Sequence, residues 1–283
     1  MNSGLLDGTS TDSQEMLALL RKLQVDSLQV LDRVRPELRR RGAVGVNAKG
    51  DDQKPCDIEV DQWLQRWLTE HFESGVVESE EQTNAFEFGR SEQGFRFIVD
   101  PVDGSDNFVR GLPLSATSLA ILPRQATLCT DQVVYALVGD TSGQGAAVAA
   151  RGDGAYSDSK RLHTSKTRHL RDAFVSCELN HWAPDASLAQ LMRSCAGIRV
   201  YGCASRALCL VALGALDAHI DVRSRLTPES FLAASLLVTE AGGQICSLDG
   251  GDLGPFQSLQ DRTTLVAAST KELAEEIINA LGR

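Results

Sequence analysis

No apolar run in the 283-residue sequence approaches the ~20 residues that span a bilayer. The opening stretch, MNSGLLDGTSTDSQEM, has neither the basic region nor the apolar region of a secretory leader, so the expected compartment is the cytoplasm and no membrane partner is expected. Paired cysteine spacing is missing as well. The seven cysteines (Cys56, Cys129, Cys177, Cys195, Cys203, Cys209, Cys246) include no C-x-x-C, which argues against a disulfide framework or a zinc site and for free thiols in a reducing compartment. The five histidines (His71, His163, His169, His181, His219) show no metal-ligand spacing. Positive charge is scarce: 28 Lys and Arg against 38 Asp and Glu leave a net charge of -10 and a pI near 5.0, with no basic stripe for a nucleic-acid polymer. A small anionic ligand would therefore need help from bound cations.

What the sequence does contain is ordinary for a globular protein, with 42% apolar residues, enough for a sizeable core. Residues 1–11 are polar and expected to fray. Leucines and valines at helical spacing predict one long helix or two joined ones over 13–41, and Trp63, Leu64, Trp67 and Leu68 share one face of a second helix over 61–72. Short strands follow at GVVES and FRFIVD, then SATSLAILP, QVVYALVGD and GAAVAARG, separated by turn residues as in an antiparallel meander. Beyond 171 the pattern alternates strand and helix, with helices expected over 186–195, 204–213, 229–241 and 271–281. This order predicts an α/β (α+β) fold of sheets packed between helices, with one lobe over 12–170 and another over 171–283.

The stretch FIVDPVDGSDNFVRGLP crowds Asp100, Asp103 and Asp106 behind a buried strand, with Pro101 stiffening the chain and Gly104 allowing a tight turn into a short helix at Ser105 or Asp106. Helix caps and turns use such residues without chemistry. Asp100 and Asp103 at a strand's carboxyl end, facing a helix amino terminus, also make a place for a metal ion and a phosphate together. Hard divalent ions take oxygen ligands, and Asp100 and Asp103 with the Val102 carbonyl are suited to one. Two further acidic sites are ESEEQ at 78–82, where Glu80 or Glu81 ends another strand, and Asp61, which opens the expected second helix. A calcium loop of the EF-hand type is excluded, because the stretch from Asp100 has Val at its third position and Gly at its twelfth.

DPVDGSDNFVRGLPLSATSLAI resembles the D-P-[IV]-D-G-[TS]-x-N-F-x-x-G-x-P signature of the inositol monophosphatase superfamily of metal-dependent, lithium-sensitive phosphatases, which includes fructose-1,6-bisphosphatases. LLVTEAGGQI is similar to the end of that family's second signature, and RVYGCASRALCLVALGALDAHID to the segment between them. The resemblance implies a layered αβαβα sandwich and a Mg²⁺-dependent phosphomonoesterase acting on a small phosphorylated alcohol. It places Glu80, Asp100 and the Val102 carbonyl on one Mg²⁺, with Asp100 and Asp103 reaching towards a second. Ser105, where the family usually has Thr, would pair with Asp61 to activate the attacking water. The amides of Gly104 and Ser105 would hold phosphate oxygens beside Asp106. Gly202, Cys203, Ala204 and Asp221 would line the side that takes the alcohol. A homodimer is implied by analogy.

One position departs from the pattern. The aspartate of W-D-x-A-A-G, which completes the second metal site, aligns with Ser230 in TPESFLAAS, next to Glu229. Either Glu229 reaches in from the neighbouring position, or the second ion is weak; helix neighbours point about 100° apart, which makes the replacement imperfect. The expectation is retained activity with reduced metal affinity, and the alternative is a non-catalytic relative that keeps a metal and phosphate pocket.

Overall fold

The computed structural model describes residue 6 and residues 12–38, 44–47, 50, 52–90 and 92–282. The expectation of a frayed 1–11 segment lies outside them except at Leu6, which forms a single parallel bridge with Phe72. Seven α-helices occur in the described chain: α1 Ser13–Leu38, α2 Pro55–His71, α3 Ser105–Arg110, α4 Ala186–Ser194, α5 Ala204–Ala212, α6 Pro228–Glu240 and α7 Lys271–Leu281.

Strand alternation sorts the side chains into layers. An eight-stranded sheet runs in the order Lys160–Arg161, Gly154–Ser157, Ala146–Ala150, Tyr135–Asp140, Ala116–Pro123, Phe95–Asp103, Gly75–Ser79, Phe86–Phe88. Its first five strands form an antiparallel meander, of which the sequence reading names three (Ala146–Ala150, Tyr135–Asp140 and Ala116–Pro123), and Gly75–Ser79 pairs parallel with Phe95–Asp103. On one face Phe97, Val99, Leu119, Ile121, Leu137 and Val148 pack on α1 and α2, through Leu20, Leu23, Leu31, Leu64 and Leu68. On the other face Ile98, Ala120, Leu122, Ala136 and Val138 meet α5 and α6.

A second sheet of five strands, in the order Gly197–Arg199, Phe174–Cys177, Ala218–Leu226, Thr263–Ala268, Gln244–Cys246, lies beyond those two helices. Leu265 and Ala267 point inward to α5 and α6, while Val266 and Ala268 point outward to α4 and α7. The order of layers is therefore helix, sheet, helix, sheet, helix, the αβαβα arrangement. Central helix α6 is buried at every residue from Pro228 to Val238, as befits a helix apolar on all sides between two sheets.

Two elements differ from the sequence reading. Helix α2 begins at Pro55 rather than near 61, because Pro55 occupies the first helical turn and Asp57 accepts a hydrogen bond from the Lys54 amide at 2.9 Å. A short hairpin, Gly45–Val46 with Asp52–Gln53, occupies what reads as loop.

A buried ion pair joins the central layer to the larger sheet: Arg206 of α5 reaches Asp140 at 2.9 Å, with the carboxylate 2% exposed. Removing one partner of such a pair strands the other charge, at a cost of about 3–5 kcal/mol. Arg206→Met is expected to lower the urea midpoint accordingly at pH 7. An unchanged midpoint would mean that Asp140 is satisfied by Ser142 alone.

Candidate active site

The strand Phe95–Asp103 carries a bulge. Asp100 pairs with Ser118 but Asp103 with Ala116, so three steps along one strand match two on its neighbour. The extra residue falls at Pro101 and Val102, where a proline that cannot donate to the ladder is tolerated, and the Thr117 hydroxyl donates to the Pro101 carbonyl at 2.9 Å. In a regular strand residues three apart point to opposite faces. The bulge cancels that inversion and brings Asp100 and Asp103 to one side.

Gly104 follows in the left-handed region at φ +75°; a Cβ there would lie 2.9 Å from Cβ of Cys203 and 3.0 Å from the Leu114 carbonyl. The chain then enters α3. Across the junction, Asp103 accepts from the Ser205 amide at 2.7 Å and from its hydroxyl at 2.6 Å, at the start of α5, and the Cys203 thiol donates to the Asp103 carbonyl at 3.3 Å.

These contacts bound a cavity of about 530 Å³ between the two sheets. Of the expected site residues, Glu80, Asp100, Val102, Asp103, Gly104, Ser105, Asp106, Gly202, Cys203 and Ala204 all line it. The Val102 side chain belongs to the core, which leaves its backbone to face the cavity. Glu80 accepts from the Asn47 amide at 2.9 Å and Glu81 from Gln53 at 2.6 Å, so the short hairpin is pinned against this acidic pair.

Three expected residues are placed elsewhere. Asp61 is buried away from the lining and accepts from Gln65 at 3.0 Å and Gln82 at 2.6 Å; Asp57, one helical turn earlier, lines the cavity instead. The Pro-x-Asp start of α2 was the available signal. Asp221 is wholly buried behind the wall, where it grips Arg223 at 3.0 and 2.7 Å in a two-pronged ion pair, and it is Arg223 that lines the cavity. Glu229 does not reach in. It is 1% exposed, accepts from the Thr227 hydroxyl at 2.5 Å and from Ser230 at 3.3 Å, and only Ser230 lines the cavity.

Glu178, Asn180, His181, Arg225 and Arg262 complete the far wall. Glu178 ends an inner strand, accepts from the Gly202 amide at 3.2 Å, and burial pushes its carboxyl up to about 7.

The near wall offers oxygen donors: the carboxylates of Glu80, Asp100 and Asp103 and the Val102 backbone. This is the donor chemistry of a hard divalent cation. Among the described residues no three His, Cys, Asp or Glu side chains are gathered into a finished cage. An ion such as Mg²⁺ needs none, since it keeps several waters and takes one or two carboxylates plus substrate phosphate. The residues present fit such an ion.

Crowding of carboxylates shows in their titration. Burial, with the charges of Asp57 and Glu80, raises Glu81 to about 8, and burial raises Asp57 to about 6. With its folded value above the ordinary 4.5, Glu81 makes the native state hold a proton that the unfolded chain has shed, so its ionisation costs stability as pH rises through that window. Glu81→Gln is therefore expected to stabilise the metal-free protein at pH 8, on the order of 1–3 kcal/mol, and to have little effect at pH 4. Thermal melts at both pH values check this, and an equal effect at the two would contradict the assignment.

The inositol monophosphatase family model matches residues 12–283. The chain is 27% identical over 240 residues to the fructose-1,6-bisphosphatase of Pyrococcus furiosus, covering 84% of this chain and 87% of that one. It is 30% identical over 203 residues to the inositol-1-monophosphatase of Mesorhizobium japonicum, covering 70% and 67%. Its fold superposes on the extragenic suppressor protein suhB from Bartonella henselae with a TM-score of 0.78 at 23% identity, over 95% of this chain and 98% of that one. With the match running through nearly the whole described structure, the chain belongs to the inositol monophosphatase family.

Proposed function

We propose that this phosphatase is a Mg²⁺-dependent phosphomonoesterase that hydrolyses a small phosphorylated alcohol, an inositol monophosphate or a related sugar or nucleotide phosphate. The observation that carries the reading is the convergence of Glu80, Asp100, Val102, Asp103 and Ser105 on one cavity, in a member of a family of phosphatases. Glu80, Asp100, Asp103 and the Val102 carbonyl would hold the cation, which when bound neutralises phosphate charge and lowers the pKa of water.

The chain's own groups do the rest. Ser105 and Asp57 orient the attacking water, and the Asp57 carboxyl, at about 6, accepts its proton near neutral pH. Lys54 ties these two together, with its amide on Asp57 and its ammonium 3.0 Å from the Ser105 hydroxyl. The amides of Gly104 and Ser105 hold phosphate oxygens. Arg223, held by Asp221 and facing Glu178, presents its remaining N–H groups to the alcohol side together with Gly202, Cys203 and Ala204. With Ser230 where the family pattern has a carboxylate, one cation is bound well and a second weakly. Reduced thiols and the absence of an apolar span among the described helices support a cytoplasmic protein. A homodimer is proposed by analogy with the family.

The test is release of inorganic phosphate from inositol-1-phosphate, fructose-1,6-bisphosphate, adenosine-3',5'-bisphosphate and histidinol phosphate across a Mg²⁺ titration. Activity is expected to need Mg²⁺ at higher concentration than a two-site enzyme, and to fall at least a thousandfold in Asp100→Asn. Silence throughout in a folded protein would favour a relative that binds without catalysis.

A further inference from the structure

The wall contributed by residues 47–106 carries Asp52, Asp57, Glu80, Glu81, Asp100, Asp103 and Asp106, and among the described residues its one basic side chain is Lys54. Among the described side chains of this wall, that ammonium is the one positive charge a phosphate dianion would meet. The Lys54 side chain is 15% exposed, and its nitrogen lies 3.0 Å from Oγ of Ser105 and 3.0 Å from Oδ1 of Asp106. Its backbone is fixed by the Asp57 hydrogen bond and by Pro55 next in the chain, so the side chain leaves from a rigid point.

An ammonium has three hydrogens. Two meet Ser105 and Asp106, and the third has no acceptor among the described residues. As a structural tether this arrangement is weak, because Asp106 is 80% exposed and ion pairs to solvated carboxylates contribute little. As a ligand contact it is well placed: the group stands on the hydroxyl that the phosphatase reading puts beside the attacking water.

We propose that Lys54 is a substrate-contacting residue that donates to a phosphate oxygen beside Ser105. The proposal rests on the phosphatase reading. It also places on the carboxylate wall a positive charge that does not depend on metal concentration.

Calorimetric titration of inorganic phosphate into the full chain, with and without Mg²⁺, tests it in the parent protein, Lys54→Met, Lys54→Gln and Lys54→Arg. The two neutral variants are expected to bind phosphate at least tenfold more weakly in Mg²⁺, and Lys54→Arg within about threefold of the parent. Melting temperatures of all three should stay within about 2 °C of the parent value. Parent-like phosphate affinity in a folded neutral variant overturns the assignment. So does a loss in Lys54→Arg equal to that of the neutral variants and accompanied by lower melting temperatures, which would make Lys54 a tether. A parent protein that binds no phosphate and releases none from any ester overturns the phosphatase reading as well, whereas turnover with phosphate affinity indifferent to Lys54 overturns this inference alone.

Discussion

The grip of Ser205 on Asp103 is the contact on which the site depends. Asp103 ends the bulged strand of the larger sheet, and Ser205 opens α5 in the layer between the sheets, so two hydrogen bonds under 2.8 Å hold the two walls of the cavity at one separation. Charge-assisted bonds to a helix amino end are among the stronger polar contacts, and this one is reinforced by the Cys203 thiol on the Asp103 carbonyl. The same carboxylate faces the cavity. Assembly of the two layers and placement of a carboxylate oxygen in the cavity are thus one event, and the nearby Gly104 and Gly202 are both held at positive φ.

The layered fold was legible because its strands read as short apolar runs bounded by turn residues, as strands buried on both faces do: Phe97, Ile98 and Val99, or Leu119, Ala120 and Ile121, are all buried. The helix starts were less so. Asp57 is harder to read than Asp61 because the apolar face of α2 is read from Trp63 onward, whereas its first turn is set by Pro55 and by a side chain bonding back to the backbone, signals that carry no hydrophobic periodicity. The bulge at Pro101 and Val102 was also invisible, since an extra residue in a strand looks like any other until its partner strand is known. The acidic stretch is legible even so, because it needs no partner to be read, and its Asp100, Asp103 and Asp106 line the cavity.

On the far wall the difficulty was of another kind. Asp221 and Glu229 are acidic residues at positions that look functional, yet both spend their charge inside the protein. Asp221 is tied to Arg223, and Glu229 is capped by the hydroxyls of Thr227 and Ser230. A sequence shows where a carboxylate stands but not which way it faces, and burial reversed the expectation in each case. The resulting cavity is polarised, with carboxylates along one wall and Arg223, Arg225 and Arg262 along the other. Such a field draws an anionic group towards the arginine wall and repels it from the carboxylates unless bound cations cover them.

Helix α6 has a further consequence. It is enclosed on all sides, and its middle is built from small residues, Ala233, Ala234 and Ser235, between the larger Phe231, Leu232, Leu236 and Leu237. Because packed interiors yield little, the side-chain volume along this helix acts as a calliper that sets the spacing of the sheets and so the aperture of the cleft at their edge. Substrate range in such a scaffold can therefore drift through changes at residues that never touch a substrate, one methyl group at a time.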